Sequence, residues 1–235
     1  MNMSMNPNSD LHQSAVNVPD LAQVPEALLH QAREFQEAIM MYSCAIREVK
    51  TKLEVLNDEL SVRNQRNPIE MIKSRVKKPL SIVDKLHRRN LPVTLDSMVN
   101  HLDDVAGIRV ICSFVDDIYS IARMLVSQDD IRVVAVKDYI EHPKPNGYRS
   151  YHLILEVPVF FSDRKKDMRV EVQIRTIAMD FWASLDHQLK YKKDIGVDAD
   201  EIGEELRKCA EVIAKTDRHM LLIRKSIEAQ NGKIR

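Results

Sequence analysis

Val170-Glu171-Val172-Gln173-Ile174-Arg175 alternates without a break, with apolar residues on one side and an acid, an amide and a guanidinium on the other. A period of two marks a strand with one face turned to a core. The opposite face carries groups that hold ions and hydrogen-bond ligands, so it reads as the floor of a polar site. Upstream, Asn146-Gly147-Tyr148-Arg149-Ser150-Tyr151-His152 packs a glycine, two tyrosines, an arginine and a histidine into a turn that runs into a strand. Gly147 is one of only five glycines and follows Pro143-Lys144-Pro145, a place for positive φ or a close backbone approach. Together the two segments predict a pocket that stacks a flat base and handles phosphate.

On either side of these segments the pattern is α/β. Strands are expected over 106–114, 131–140, 151–161 and 168–176, with a helix over 116–127 and short helices over 79–90 and 95–101. Helices therefore flank a mixed sheet of four or five strands. Asn67-Pro68-Ile69-Glu70 reads as the N-cap, first-turn proline and capping-box acid of one more helix. Pro79 breaks it, leaving Arg75-Val76-Lys77-Lys78 outside regular helix. A helix carrying Phe181, Trp182, Leu185 and Leu189 is expected to end near Gly196. Beyond the core, Phe35, Ile39, Tyr42, Ile46, Val49, Leu53, Leu56 and Leu60 recur at spacings of four and three on one long helix. Ile202, Leu206, Cys209, Ile213, Thr216, Met220, Ile223 and Ile227 repeat the pattern near the other end. Such seams suit packing on each other, on the core, or across a subunit interface. Residues 1–20, rich in Asn, Ser and Met without periodicity, read as disordered.

Composition narrows the function classes. Lysine plus arginine and aspartate plus glutamate number 35 each, so no global field holds DNA, RNA or an anionic membrane, and any polyanion site is local. The three cysteines, Cys44, Cys112 and Cys209, form no C-x-x-C pair, which points to reduced thiols in a cytoplasm. No apolar run is long enough to span a bilayer.

The local positive charge is easy to find. Lys73, Arg75, Lys77, Lys78, Lys85, Arg88 and Arg89 stand in one stretch against Asp84 alone. Ser81, Lys85 and Arg88 share a helix face at i, i+4 and i+7, and Ser81 lies in the first turn, where free N–H groups favour phosphate oxygens. Asp103-Asp104-Val105-Ala106-Gly107-Ile108-Arg109 puts carboxylates before a strand and small residues at its start. Asp104 with Glu171 would suit Mg²⁺, which takes one or two protein carboxylates and completes its shell with water and phosphate. Asp103 or Asp104 would equally serve as a turn cap. No P-loop or dinucleotide-binding glycine motif is present.

Arg75-Val76-Lys77, Ser81, Lys85, Asp104 to Arg109, Asp138-Tyr139-Ile140, Asn146 to His152, Val170 to Thr176, Phe181-Trp182-Ala183 and Asp186 to Lys192 occur in that order. They resemble the synthetase domain of the RelA/SpoT family, in the form of the stand-alone small alarmone synthetases, over roughly residues 68–193. The resemblance implies a nucleotidyltransferase-like synthetase fold spanning 21–235, with flanking helices at about 26–63 and 198–230. It implies a pyrophosphokinase in which the 3′-hydroxyl of GDP or GTP attacks the β-phosphorus of ATP and AMP leaves. On that likeness Arg75 and Arg109 sandwich adenine, and Lys77, Ser81, Lys85 and Arg88 hold the ATP phosphates. Asp104 and Glu171 bind Mg²⁺, and Glu171 also takes the acceptor's proton. Tyr148 stacks on guanine, with Lys144, His152, Gln173 and Arg175 near the acceptor's phosphates or ribose.

A homotetramer with an alarmone in its central cleft is implied for regulated relatives. Here Met71 stands where an aromatic is common and Asp180 where an asparagine is common. An acid facing a polyanion repels it, so activation by bound alarmone is expected to be weak or absent. GMP or the 3′ end of tRNA as acceptor, and a non-catalytic nucleotide sensor, are the competing readings.

Overall fold

The alternating segments form one sheet. In the computed structural model, which describes residues 25–64, 66–191 and 199–231, it is five-stranded. The strands are β1 (Ile69–Val76), β2 (Ala106–Cys112), β3 (Arg132–Asp138), β4 (Tyr151–Phe160) and β5 (Lys165–Thr176), in the order β1-β2-β5-β4-β3. β2 and β5 run parallel, and the other neighbours are antiparallel. Parallel pairing requires a crossover, and everything between β2 and β5 in sequence, including β3 and β4, supplies it.

One face of this sheet makes the core. Val170, Val172 and Ile174 are fully buried, as the alternation requires, and pack with Ile108, Val110, Leu153 and Leu155. Two helices cover them. α1 (Glu26–Asn64) crosses the sheet, and α4 (Val115–Val126) packs beside it with Ile118, Ile121 and Leu125 inward. The α1 seam is spent within the chain, since Tyr42, Val49 and Leu53 are buried against the strands. Two short helices, α2 (Pro79–Arg88) and α3 (Leu95–His101), lie between β1 and β2 in sequence, and Thr94 caps α3 by accepting the Ser97 N–H at 3.1 Å.

The chain turns directly from β5 into α5 (Ile177–Tyr191), where the Thr176 hydroxyl oxygen accepts the Met179 N–H. α6 (Ala199–Asn231) packs along α5, with the Trp182 indole N–H on the Leu206 carbonyl at 2.9 Å. Trp182 is thus the inward residue of its set, while Phe181, Leu185 and Leu189 are exposed. The second seam also differs from the first: Ile202, Met220, Ile223 and Ile227 face solvent, and Ala210, Ala214 and Asp217 make the buried contacts of α6. The expected disorder over 1–20 and the expected cap at Gly196 lie outside the described residues.

One element is corrected. The helix predicted at Asn67-Pro68-Ile69-Glu70 is the start of β1. Glu70 does not cap Asn67; its carboxylate accepts the Ser113 hydroxyl at 2.6 Å, and it sits at a bulge between Ile69 and Met71. Beyond the bulge, Ile72 and Val76 pack toward the core while Lys73 and Arg75 take the other face. Pairing with a nearly fully buried β2 outweighs a local capping signal worth about 1 kcal/mol.

Candidate active site

The face of the sheet away from α1 carries the chemistry, and register aligns it in rows. Arg75, Gly107, Glu171 and Ile154 are successive cross-strand partners from β1 to β4. One step along, Lys73, Arg109, Gln173, His152 and Lys137 form a row entirely of polar residues across all five strands. Where Arg75 and Glu171 flank the same partner, that partner is Gly107, which leaves the space between them open. A cleft of about 280 Å³ results, lined by Lys73, Arg75, Asp104, Arg109, Glu171 and Gln173 among others.

Asp104 stands at the edge of this cleft just before β2. Its Oδ2 accepts from Lys77 at 2.9 Å and Lys85 at 2.7 Å, so a strand end and α2 converge on one carboxylate oxygen. Its Oδ1 is buried with no protein partner. Burial alone would raise the Asp104 pKa, but Lys85 and Lys77 outweigh it and hold the carboxyl below its ordinary value. Two carboxylates in one basic cleft, one with an unused oxygen, fit a hard divalent cation completed by water and phosphate. Among the described residues no group of three or more potential ligands gathers, so a closed all-protein metal cage is not what is built.

Glu171 is the more elaborately held acid. His152 Nδ1 lies 3.2 Å from its Oε1, and Gln173 Nε2 donates to its Oε2 at 2.8 Å. Burial pushes its pKa up, and the His152 and Gln173 contacts more than reverse that, leaving it ionised at neutral pH. Burial is likewise the largest influence on His152 and pushes the imidazole below its ordinary value, toward the neutral form. His152 Nε2 meets the Tyr148 hydroxyl at 2.9 Å, and Arg175 Nη2 donates both to that hydroxyl and to Gln173 Oε1.

The structure sorts the expected residues into three groups. Arg75, Arg109, Asp104, Glu171 and Gln173 line the cleft, and Lys77 and Lys85 reach Asp104. Ser81 and Arg88 lie on α2 outside the lining, and the Arg88 Nε–H turns back to the Asp84 carbonyl at 3.4 Å. Tyr148 and Lys144 form a neighbouring unit: the Lys144 ammonium lies 4.7 Å from the Tyr139 ring centre and 4.8 Å from that of Tyr148. Arg175 stands beside Tyr148 and Gln173, two residues expected around the acceptor, with its guanidinium already engaged. It is only 3 % exposed and is enclosed by Ser150, Asp180, Tyr148 and Gln173.

Asp180 also changes meaning. It was expected to present an uncompensated acid, but its Oδ1 accepts from Arg109 at 3.1 Å and Arg175 at 3.2 Å. Its charge is offset within the chain, so repulsion of a polyanion does not follow from it. Lys73 is a charged lining residue that sequence reasoning left without a specific role. The alternation Met71, Lys73, Arg75 would have placed it beside Arg75 had β1 been read as a strand.

The Tyr148 turn depends on α6. Gly147 donates its N–H to the Lys144 carbonyl at 2.8 Å, closing a four-residue turn with Pro145 second and Gly147 last. Gly147 has φ +87°, and both expected reasons for a glycine hold, because a Cβ there would sit 2.5 Å from the Ala210 Cβ on α6. Arg149 ties the same junction, donating to the Gly147 and Ala210 carbonyls at 3.0 and 3.2 Å.

Known proteins share both the sequence and the fold of this chain. The family model for the region found in RelA and SpoT proteins matches residues 74–196. The chain is 42 % identical over 215 residues to the GTP pyrophosphokinase YwaC of Bacillus subtilis, covering 92 % of this chain and 99 % of that one. It is 34 % identical over 196 residues to the GTP pyrophosphokinase YjbM of the same organism, covering 83 % and 91 % respectively. Among solved structures, small alarmone synthetase 2 of Bacillus subtilis superposes with a TM-score of 0.74 at 44 % identity, covering 82 % of this chain and 99 % of the other. Small alarmone synthetase 1 of that organism, bound to its product pppGpp, gives 0.75 at 35 % identity, covering 83 % and 98 %.

Proposed function

We infer the activity from a single premise: the chain belongs to the RelA/SpoT protein family. It is a GTP pyrophosphokinase that makes (p)ppGpp alarmones, transferring the β,γ-pyrophosphate of ATP to the 3′-hydroxyl of GDP or GTP. The oxygen of that hydroxyl bonds to the β-phosphorus, the bond from β-phosphorus to the α-phosphate oxygen breaks, and AMP leaves. The observation that carries this reading is one cleft holding two acids, Asp104 and Glu171, amid Lys73, Arg75 and Arg109. Phosphoryl transfer asks the protein chiefly for positioning and charge, and that is what this cleft offers.

Arg75 and Arg109 would hold the adenine between their guanidinium groups, and Lys77 and Lys85 would leave Asp104 for the ATP phosphates, with Ser81 and Arg88 further along α2. Mg²⁺ would be held by Asp104, through its unpartnered Oδ1, and by Glu171, and when bound it would neutralise charge developing on the β-phosphate. Glu171, kept ionised, would take the proton of the attacking hydroxyl. Tyr148 would stack on guanine once the exposed Lys144 swings from its ring toward the acceptor phosphates.

The exposed apolar rows Phe181, Leu185, Leu189 and Ile202, Met220, Ile223 support a homo-oligomer, with a tetramer the arrangement we favour. Three free cysteines and nucleotide substrates support a cytoplasmic site of action. No helix among the described residues is long and apolar enough to cross a membrane.

Incubation with ATP and Mg²⁺ plus GDP, GTP, GMP or tRNA in turn, followed by product analysis, tests class and acceptor together. A 3′-pyrophosphorylated guanine nucleotide and AMP are expected. Glu171→Gln is expected to lower AMP release by about 10²- to 10⁴-fold with the fold intact, the range for loss of a positioned base. Near-normal activity in that variant would refute the role given to Glu171.

A further inference from the structure

Glu171 depends on two neighbours whose polarity is ambiguous. An ionised carboxylate only accepts hydrogen bonds, so both of its oxygens require donors. Gln173 supplies one and His152 the other, yet an amide can be flipped and a neutral imidazole carries its proton on either nitrogen. A flipped Gln173 would turn its carbonyl oxygen on the carboxylate. The other tautomer of His152 would turn a lone pair on it. Something else must set both.

That setting traces to Arg175. A guanidinium has donors and no acceptor, so whatever meets it must accept. Arg175 Nη2 donates to Gln173 Oε1 at 2.9 Å, which fixes the carbonyl end of the amide there and leaves the NH₂ end for Glu171. The second Nη2 hydrogen goes to the Tyr148 hydroxyl oxygen, and the acceptor within reach of the hydroxyl's own hydrogen is His152 Nε2, 2.9 Å away. With Nε2 accepting, the proton of the neutral imidazole sits on Nδ1, facing Glu171 Oε1. Arg175, Tyr148, His152, Glu171 and Gln173 thus close a ring of hydrogen bonds whose two arms both run from the donor-only Arg175 to the acceptor-only Glu171.

The guanidinium is itself held. Its Nε donates to the Ser150 hydroxyl at 3.3 Å and its Nη1 to Asp180 at 3.2 Å. Both Nη2 hydrogens are used inside the ring, and the residue is buried. No Nη2 hydrogen is left for a phosphate oxygen of an incoming nucleotide.

We propose that Arg175 and the Tyr148 hydroxyl are positioning residues, which set the Gln173 amide and the His152 tautomer so that two N–H groups hold the Glu171 carboxylate in place for the reaction. This rests on the pyrophosphokinase reading and separates two parts of one side chain: the Tyr148 ring serves the base, and its hydroxyl serves Glu171. Each carboxylate oxygen retains a second lone pair for the reacting groups.

Two variants test it, Arg175→Met and Tyr148→Phe. The second removes a single oxygen and keeps the ring, so it stands even if the buried arginine cannot be replaced without unfolding. In steady-state assays with ATP and Mg²⁺, Tyr148→Phe is expected to lower kcat about 10- to 100-fold, the usual loss when a group orienting a site residue is removed. KM for the acceptor stays within about twofold of wild type, equally for GDP and GTP. Nitrogen-15 NMR of histidine-labelled protein is expected to show His152 as the Nδ1–H tautomer in wild type and as a mixture in Tyr148→Phe.

Unchanged kcat in Tyr148→Phe overturns the proposal, as does an Nε2–H tautomer in the wild-type protein. A folded Arg175→Met whose loss is confined to acceptor KM, larger for GTP than for GDP, also overturns it, because that is the signature of a phosphate contact. If wild-type protein releases no AMP with any acceptor, the pyrophosphokinase reading fails instead, and the tautomer measurement still decides whether the ring is set as described.

Discussion

Replacing Gly147 with alanine probes how the acceptor side is built. The residue has φ +87°, a conformation that costs an L-residue roughly 1–2 kcal/mol. The added methyl would lie 2.5 Å from the Ala210 Cβ and 3.3 Å from the Arg207 Cα, both on α6, and neither neighbour is the flexible tip of a side chain. Overpacking of this kind costs about 1–3 kcal/mol. The sum is a destabilisation of about 2–5 kcal/mol if the loop stays docked. The chain can escape part of it only by lifting the loop from α6, which sacrifices the Arg149 bonds to Gly147 and Ala210 and moves Tyr148.

Urea unfolding should therefore report the stability loss, and initial rates should report a raised KM for the guanine acceptor with KM for ATP little changed. Ala210→Gly supplies the internal control. Alone it costs about 1 kcal/mol of helix propensity. Combined with Gly147→Ala it removes the methyl-to-methyl clash, so the double variant should recover about 1–2 kcal/mol relative to the sum of the singles. The φ strain remains. A Gly147→Ala loss below about 1 kcal/mol, or strictly additive singles, would refute the claim that α6 braces this turn.

Asp217, buried on α6 and hydrogen-bonded to the Thr176 hydroxyl, has a pKa raised chiefly by burial. A raised carboxyl binds its proton more tightly when folded, so its penalty is absent at low pH and appears as pH rises through its folded value. Asp217→Asn should then be more stable than wild type at pH 7 and equal to it near pH 3, as thermal unfolding across pH will show. Leu53→Ala, in the α1 seam, should cost about 2–5 kcal/mol by denaturant unfolding, since Leu53 is fully buried. Ile223→Asp, on the exposed α6 row, should lower the assembly state seen by analytical ultracentrifugation while leaving the fold by circular dichroism unchanged. Asp104→Asn should raise the Mg²⁺ concentration for half-maximal AMP release at least about tenfold, the scale on which metal affinity responds to altered ligation.

Patterning made much of this protein legible in one dimension. The period of two through Val170–Arg175 placed Glu171 and Gln173 on the open face, and that is where they line the cleft. The order of short motifs from Arg75 to Trp182 gave the family, because such motifs record chemistry that does not tolerate substitution. The start of β1 was misread because a capping signal is local and weak, whereas the force that makes 69–76 a strand is a partner, β2, which lies far along the chain. The two seams looked alike, yet one is buried under the sheet and the other faces solvent; periodicity reports that a helix has an apolar stripe, not what covers it.

By itself, then, the sequence determined which residue types stand on which side of each strand and which nucleotides the family handles. Tertiary structure decided what each side chain meets. It bonded Arg175 to Tyr148 and Gln173, gave Asp180 two arginine partners, and set Ala210 against Gly147. The physical reason is common to all three: hydrogen-bond polarity, charge compensation and steric contact are properties of pairs. The second member of each pair comes from another strand or helix, which no local pattern announces.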